Sequence, residues 1–156
     1  MVPNRNLTRN FSLHELIISE SAARYNFLEQ YEPPDKAIEN LELLCKNILQ
    51  PLRDGLKYPI HVNSGYRCPR VNTFIGGAAK SQHLTGHAAD ISDFKNGNER
   101  LLRKIIEMKL PFDQMINEFQ FKWVHVSFDL IKNRRQVLEA VKDKNHRTVY
   151  RLMKLS

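Results

Sequence analysis

The stretch Ser64–Asp90, SGYRCPRVNTFIGGAAKSQHLTGHAAD, and its distant counterpart Trp123–Ser127, WVHVS, decide how this 156-residue chain is read. Between them they contain His83, Asp90 and His125. His83 lies in a loop that turns at Gly86 and enters His87–Ser92, a run that reads as a strand. Asp90 sits on that strand, so one local unit carries an imidazole and a carboxylate to the same point. His125 lies on a second predicted strand, Trp123–Phe128, and brings a third donor from far away in sequence. Imidazole and carboxylate are good ligands for a borderline cation such as Zn²⁺, and three protein ligands leave the fourth tetrahedral position open for chemistry. The residues alone leave a plainer reading standing, since an isolated histidine is more often a surface or core residue than a ligand. His14, His61 and His146 are read in that way.

The three segments SGYRCPRVN, SQHLTGHAAD and WVHVSF together resemble the M15 metallopeptidases, which include D-alanyl-D-alanine carboxypeptidases and phage endolysin peptidases. The small single-domain branch is the nearest likeness. LTRNFSLHELIISESAARYNF and AIENLELLCKNILQPLR extend it, so the resemblance runs over residues 7–130. It implies a zinc-dependent peptidase that hydrolyses peptidoglycan stem peptides at a bond involving a D-amino acid, as a carboxypeptidase or an endolysin-type endopeptidase. It implies one Zn²⁺ per chain, held by His83, Asp90 and His125. It also places Arg67 at the cleft, where a planar, permanently charged donor suits a substrate carboxylate or a developing oxyanion. Ser81 corresponds to a substrate-contacting serine, with a loop cap as its other reading. Trp123 lines the cleft or belongs to the core. His87 is a cleft-edge residue, and Gln82 and Asn72 brace the loop.

The general base departs from the family pattern. Many relatives carry Asp or Glu three residues before the last histidine, and here that position is Lys122, which accepts no proton while charged. Glu118 and Asp113 are the nearby acids. If Phe119 and Lys122 close a two-residue loop, Glu118 faces Trp123 and projects to the same sheet face as His125, where diagonal neighbours lie about 7–8 Å apart. An odd-length loop reverses that face. Glu118 is therefore the expected base, and Asp113 the second candidate, with a structural role at a strand start as its more ordinary reading.

The rest of the chain frames this site. A content of 42% hydrophobic and 26% charged residues is that of a globular domain, and one domain over 1–156 is expected, with an extended arm at 1–10 and a basic segment at 133–156. Ser12 with Glu15 forms a capping box opening a short helix; a second follows Ser19 or Ser21. Leu41, Leu44, Ile48 and Leu52 recur at helical spacing within a helix over 36–53, with Pro51 predicting a kink or an early end. Pro59–Asn63 reads as a strand, Pro69–Phe74 as one or two helical turns, Glu99–Met108 as an amphipathic helix, and Phe112–Phe119 with Trp123–Phe128 as two antiparallel strands. Asn133–Leu155 is expected to be partly helical. The fold expected is α+β: a small antiparallel sheet carrying the zinc site with helices packed against it, of the hedgehog/D-Ala-D-Ala peptidase type.

Cys45 and Cys68 make no disulfide framework. A net charge of +7 calls for an anionic partner. The expected partner is a peptidoglycan peptide; specific nucleic-acid binding through the basic tail is the weaker alternative, and a non-catalytic zinc-containing cell-wall-binding module is the other. Met1–Phe11 lacks the apolar run of a signal peptide and no stretch suits a membrane span. The expectation is cytoplasmic synthesis with action at a bacterial cell wall, in a phage or host setting, or a leader upstream of Met1; a monomer is the default.

Overall fold

The computed structural model describes residues 1–154. Helices α1 (Leu13–Ile17) and α2 (Glu20–Tyr25) open the fold, each started by a serine whose hydroxyl accepts a backbone N–H of the first turn: Ser12 from Glu15 and Ser19 from Ala22. The first ten residues are tied to the body by a bridge between Asn6 and Ser12 and by the buried side chain of Leu7. The long helical stretch is three pieces in continuous succession: α3 (Asp35–Leu44), a π-type turn (Cys45–Leu49) and α4 (Gln50–Leu56). Pro51 supplies no N–H, and the wider π-type turn lies just before it; the helical run continues through Pro51 to Leu56 rather than ending there. Leu41, Leu44, Ile48 and Leu52, the four residues predicted as its inner face, are all 0% exposed.

Six strands form one sheet in the order β1 (His61–Ser64), β2 (Ala88–Ser92), β4 (Trp123–Ser127), β3 (Gln114–Glu118), β5 (Gln136–Lys142) and β6 (Thr148–Leu152). Every neighbouring pair is antiparallel except β3 and β5, which are parallel. Helix α5 (Pro69–Phe74) follows β1, and α6 (Asn98–Glu107) follows β2. Alternation divides the sheet. Ala89, Ile91, Met115, Val124 and Val126 belong to the hydrophobic core together with Leu101, Leu102 and Ile105 of α6. The opposite face carries Asp90, His125 and Glu118, residues offset by one along the same strands. The architecture is α+β, as expected.

The C-terminal segment corrects the sequence reading. Residues 133–154 contain no helix; they form β5, a turn and β6 (the last residue of the expected helical segment, Leu155, lies outside the described residues). The edge of β3 away from β4 offers a row of backbone groups, and Gln136–Lys142 pairs with it instead of forming a helix. The loop before β5 crosses the start of β3, where the Asp113 carboxylate accepts the backbone N–H, Nε and Nη2 of Arg134. Cys45 and Cys68 are both buried free thiols.

Candidate active site

Each functional side chain reaches the site by a specific local device. His83 lies in a 3₁₀ turn, Gln82–Thr85, opened by Ser81, whose hydroxyl accepts the His83 N–H at 3.4 Å. Gly86 ends that turn with φ +74°, and a Cβ there would sit 2.3 Å from the carbonyl oxygen of Ala37, so only glycine allows the chain to swing into β2 against α3. The imidazole is aimed by Gly65 of the SGYR segment. His83 Nδ1 lies 2.6 Å from the Gly65 carbonyl oxygen. A carbonyl only accepts, so the proton sits on Nδ1 and Nε2 is left bare, pointing into the sheet face. Gly65 is held just as tightly, since a Cβ on it would meet the Leu16 carbonyl oxygen at 2.3 Å.

Asp90 on β2 and His125 on β4 are direct register partners. His83 Nε2, His125 Nδ1 and Asp90 Oδ1 form a nearly equilateral triangle: 3.2 Å from His83 to Asp90, 3.2 Å from His83 to His125 and 3.1 Å from His125 to Asp90. All three residues are buried. A tetrahedral Zn²⁺ with bonds of about 2.0–2.1 Å has ligand edges of about 3.3–3.4 Å, so the triangle fits after opening by about 0.2 Å. The donor chemistry fits too. With the His83 proton fixed on Nδ1, an imidazole nitrogen and a carboxylate oxygen present lone pairs beside the His125 nitrogen, a donor set that suits a shared cation. Burial alone would raise the Asp90 carboxyl, but His83 and His125 outweigh it and hold the group well below the ordinary carboxylate range, ready as an anionic ligand.

Arg67 stands behind the triangle. Its Nη2 donates to Asp90 Oδ2 at 2.5 Å and its Nε to Ser64 Oγ at 2.9 Å. It therefore orients the carboxylate that turns Oδ1 toward the histidines, while Nη1 is left with no protein partner among the described residues.

Glu118 and His125 share one sheet face. The pairs Glu118–Trp123 and Ile116–His125 place Glu118 diagonal to His125, a separation of about 7–8 Å. The expected Phe119–Lys122 closing pair is not formed; the loop has four residues, 119–122, and the even count preserves the face. Phe119, Gln120 and Phe121 all have positive φ (49°, 62° and 60°). Asn117 Oδ1 accepts the Phe121 N–H at 2.6 Å, and Asn98 Nδ2 donates to the Phe121 and Lys122 carbonyls, which holds this loop in place. Burial, together with the charge of Asp90, pushes the Glu118 carboxyl up to about 7, against the smaller opposing pull of His125 and Arg67. Lys122, three residues before His125, is exposed on the loop.

Asp113 has a different environment. Besides Arg134 it accepts Gln82 Nε2 at 2.9 Å. Burial is outweighed by these bonds, and the carboxyl is held at about 2. It joins the His83 turn, β3 and the approach to β5. Asn72 Nδ2 donates to the Ala78 carbonyl and braces the loop before Ser81.

A cleft of about 840 Å³ runs over this face, lined among others by Arg67, Ser81, His83, Asp90, Glu118, Trp123 and His125. Trp123 is half-buried and meets Phe119 edge to face at its rim. His87 is half-buried with Nδ1 2.8 Å from Thr85 Oγ1. The far wall of the cleft is made by Leu138, Lys142, Thr148 and Tyr150 of β5 and β6, which the sequence reading did not find. The available signal was the β-branched and aromatic run TVYRL after a polar Asp143–His146 turn.

No helix among the described residues is long and apolar enough to cross a membrane. A segment of 50 residues is 42% identical to the zinc D-Ala-D-Ala carboxypeptidase of Streptomyces albus G, covering 31% of this chain and 20% of that protein. The chain thus matches about a fifth of the length of that relative. The sequence pattern of the family described as Peptidase M15 matches residues 9–127, which take in Arg67, His83, Asp90, Glu118 and His125. With a match over most of its length and the two histidines and aspartate converging at one buried point, the chain belongs to the M15 peptidase family.

Proposed function

We propose that this protein is a zinc-dependent peptidase that cleaves peptidoglycan stem peptides at a bond involving a D-amino acid. The observation that carries the reading is the conjunction of a three-donor triangle sized for Zn²⁺ with a carboxyl held up to about 7 on the same sheet face. His83, Asp90 and His125 hold the ion. Zinc bound there supplies Lewis acidity, lowering the pKa of water and polarising a carbonyl. The chain's own residues do the rest. Glu118, with a carboxyl near neutrality, takes a proton from the attacking water and returns it to the leaving amine. Arg67 keeps Asp90 aimed, and its Nη1, without a partner among the described residues, is available to the substrate oxygen on which charge develops. Ser81 and Trp123 flank the peptide in the cleft. The relative's name supports the D-alanyl bond as the target.

Mass spectrometry of purified muropeptides tests this. New peptide termini are expected with zinc-loaded protein and none after chelation. A muropeptide pool unchanged by protein with full zinc content would refute the substrate assignment.

A further inference from the structure

The family match ends at Ser127, while one wall of the cleft is built after it. The register shows how. Trp123, Glu118, Ala140 and Tyr150 are successive partners in one row across β4, β3, β5 and β6. Lys142 and Thr148 are partners at the end of the β5–β6 ladder, on the same alternating face. Ala140, between Glu118 and Tyr150, is 0% exposed; its small side chain leaves the row low there, so Tyr150 and Lys142 stand up as the wall.

This wall is a set of donors. Lys142 Nζ lies 2.8 Å from Thr148 Oγ1 and 5.2 Å from the Phe119 ring centroid, and it makes no ion pair among the described residues. Most of its neighbours in the cleft are less free: Arg67 is bound to Asp90 and Arg134 to Asp113. Burial and the charges of Glu118 and Asp90 push the Tyr150 phenol up, so it keeps its proton and donates. Asp143, next along the chain, is paired with Arg147. An ammonium beside one hydroxyl, with a phenol on the same face and no ion pair of its own among the described residues, is complementary to a carboxylate.

We propose that Lys142, with the hydroxyls of Thr148 and Tyr150, forms a subsite for a substrate carboxylate about three residues from the bond that is cut. The spacing follows from the sheet. Lys142 lies two strands from His125, at about 4.8 Å each, and four residues along β5 from the His125 row, at about 3.3 Å each. The Cα separation is therefore on the order of 16 Å, and the lysine side chain reaches back over part of it. An extended peptide of three or four residues at about 3.3–3.6 Å per residue spans the remainder. The β5–β6 hairpin is then the specificity wall of the cleft. The subsite's distance from a scissile bond rests on the peptidase reading above; its affinity for a carboxylate does not.

The test is calorimetric binding to zinc-loaded Glu118→Gln protein, which keeps the cleft and blocks turnover. The probes are two synthetic peptides bearing a glutamyl carboxylate three residues before or three residues after a D-alanyl bond, each as the acid and as the side-chain amide. One acid is expected to bind about tenfold more tightly than its amide. Adding Lys142→Met, an exposed position, removes that preference and leaves amide affinity within twofold; Tyr150→Phe reduces the preference about threefold. Equal binding of acid and amide, an equal loss for both in Lys142→Met, or no binding by any of the four peptides overturns the subsite. If the preference stands while wild-type zinc-loaded protein cleaves none of them, the subsite survives and the peptidase reading falls.

Discussion

Glu118 is the general base in the proposed chemistry, and its environment makes a prediction independent of catalysis. In the unfolded chain its carboxyl titrates near its ordinary value of 4.5, and in the folded metal-free protein at about 7. The folded state therefore binds more protons than the unfolded state between these values, and stability attributable to this group falls as pH rises through the window. Glu118→Gln removes the buried charge. The variant is expected to match wild type near pH 4.5 and to exceed it by about 1–3 kcal/mol above pH 7, from about 1.4 kcal/mol per unit discounted for partial solvation. Urea unfolding of the metal-free proteins at pH 4.5 and 8 measures it; a pH-independent difference would show that Glu118 is not held in a desolvating site. The sequence did place Glu118 on the face of His125, because the parity of a hairpin loop decides the face whether the loop has two residues or four. It did not reveal the Gly65 carbonyl as the group that fixes the His83 proton, since no residue type marks a backbone acceptor. Arg67 was legible as a cleft residue, but its bond to Asp90 depends on β1 and β2 lying side by side.

At the scale of elements, the helices, β2, β3 and β4 were readable because their periodicity, caps and turns agree with their packing. Ser12 and Ser19 cap where capping residues are expected, and the α3–α4 leucines and isoleucine bury as their spacing requires. The β5–β6 hairpin was missed for a physical reason: its pairing is with β3, a strand distant in sequence, and its outer strand is exposed throughout, so no alternation of burial marks it. Asp113 is the joint that holds this hairpin to the site. Asp113→Ala is expected to cost about 2–3 kcal/mol, the scale of lost hydrogen bonds to a charged group, and to weaken binding of extended peptides more than of dipeptides. The depressed carboxyl contributes stability above its ordinary value of 3.8 that is lost as pH falls through about 2, so the stability gap between wild type and variant should close in that acid range. Denaturant unfolding from pH 2 to 7 checks the trend; a gap that stays constant with pH would remove Asp113 from this role.

At the scale of the whole molecule, the sheet is the organising element. One face is closed by α6 and the core, and the other is an open cleft that runs from the His83 turn to the C-terminal hairpin. A net charge of +7 suits an anionic partner, while the cleft carries the two acids, Asp90 and Glu118, that serve the metal and the proton in the proposed mechanism. In the proposed mechanism, holding a metal and moving a proton are separate tasks: His83, Asp90 and His125 take the first, and Glu118, diagonal to His125, takes the second. Parallel measurement of zinc content and muropeptide hydrolysis for wild type, His83→Ala and Glu118→Gln tests that separation most directly. The account predicts one zinc and cleavage for wild type, neither for His83→Ala, and one zinc with at least a hundredfold loss of cleavage for Glu118→Gln, the scale of a general base. Full zinc in His83→Ala, or undiminished cleavage by Glu118→Gln, would contradict it.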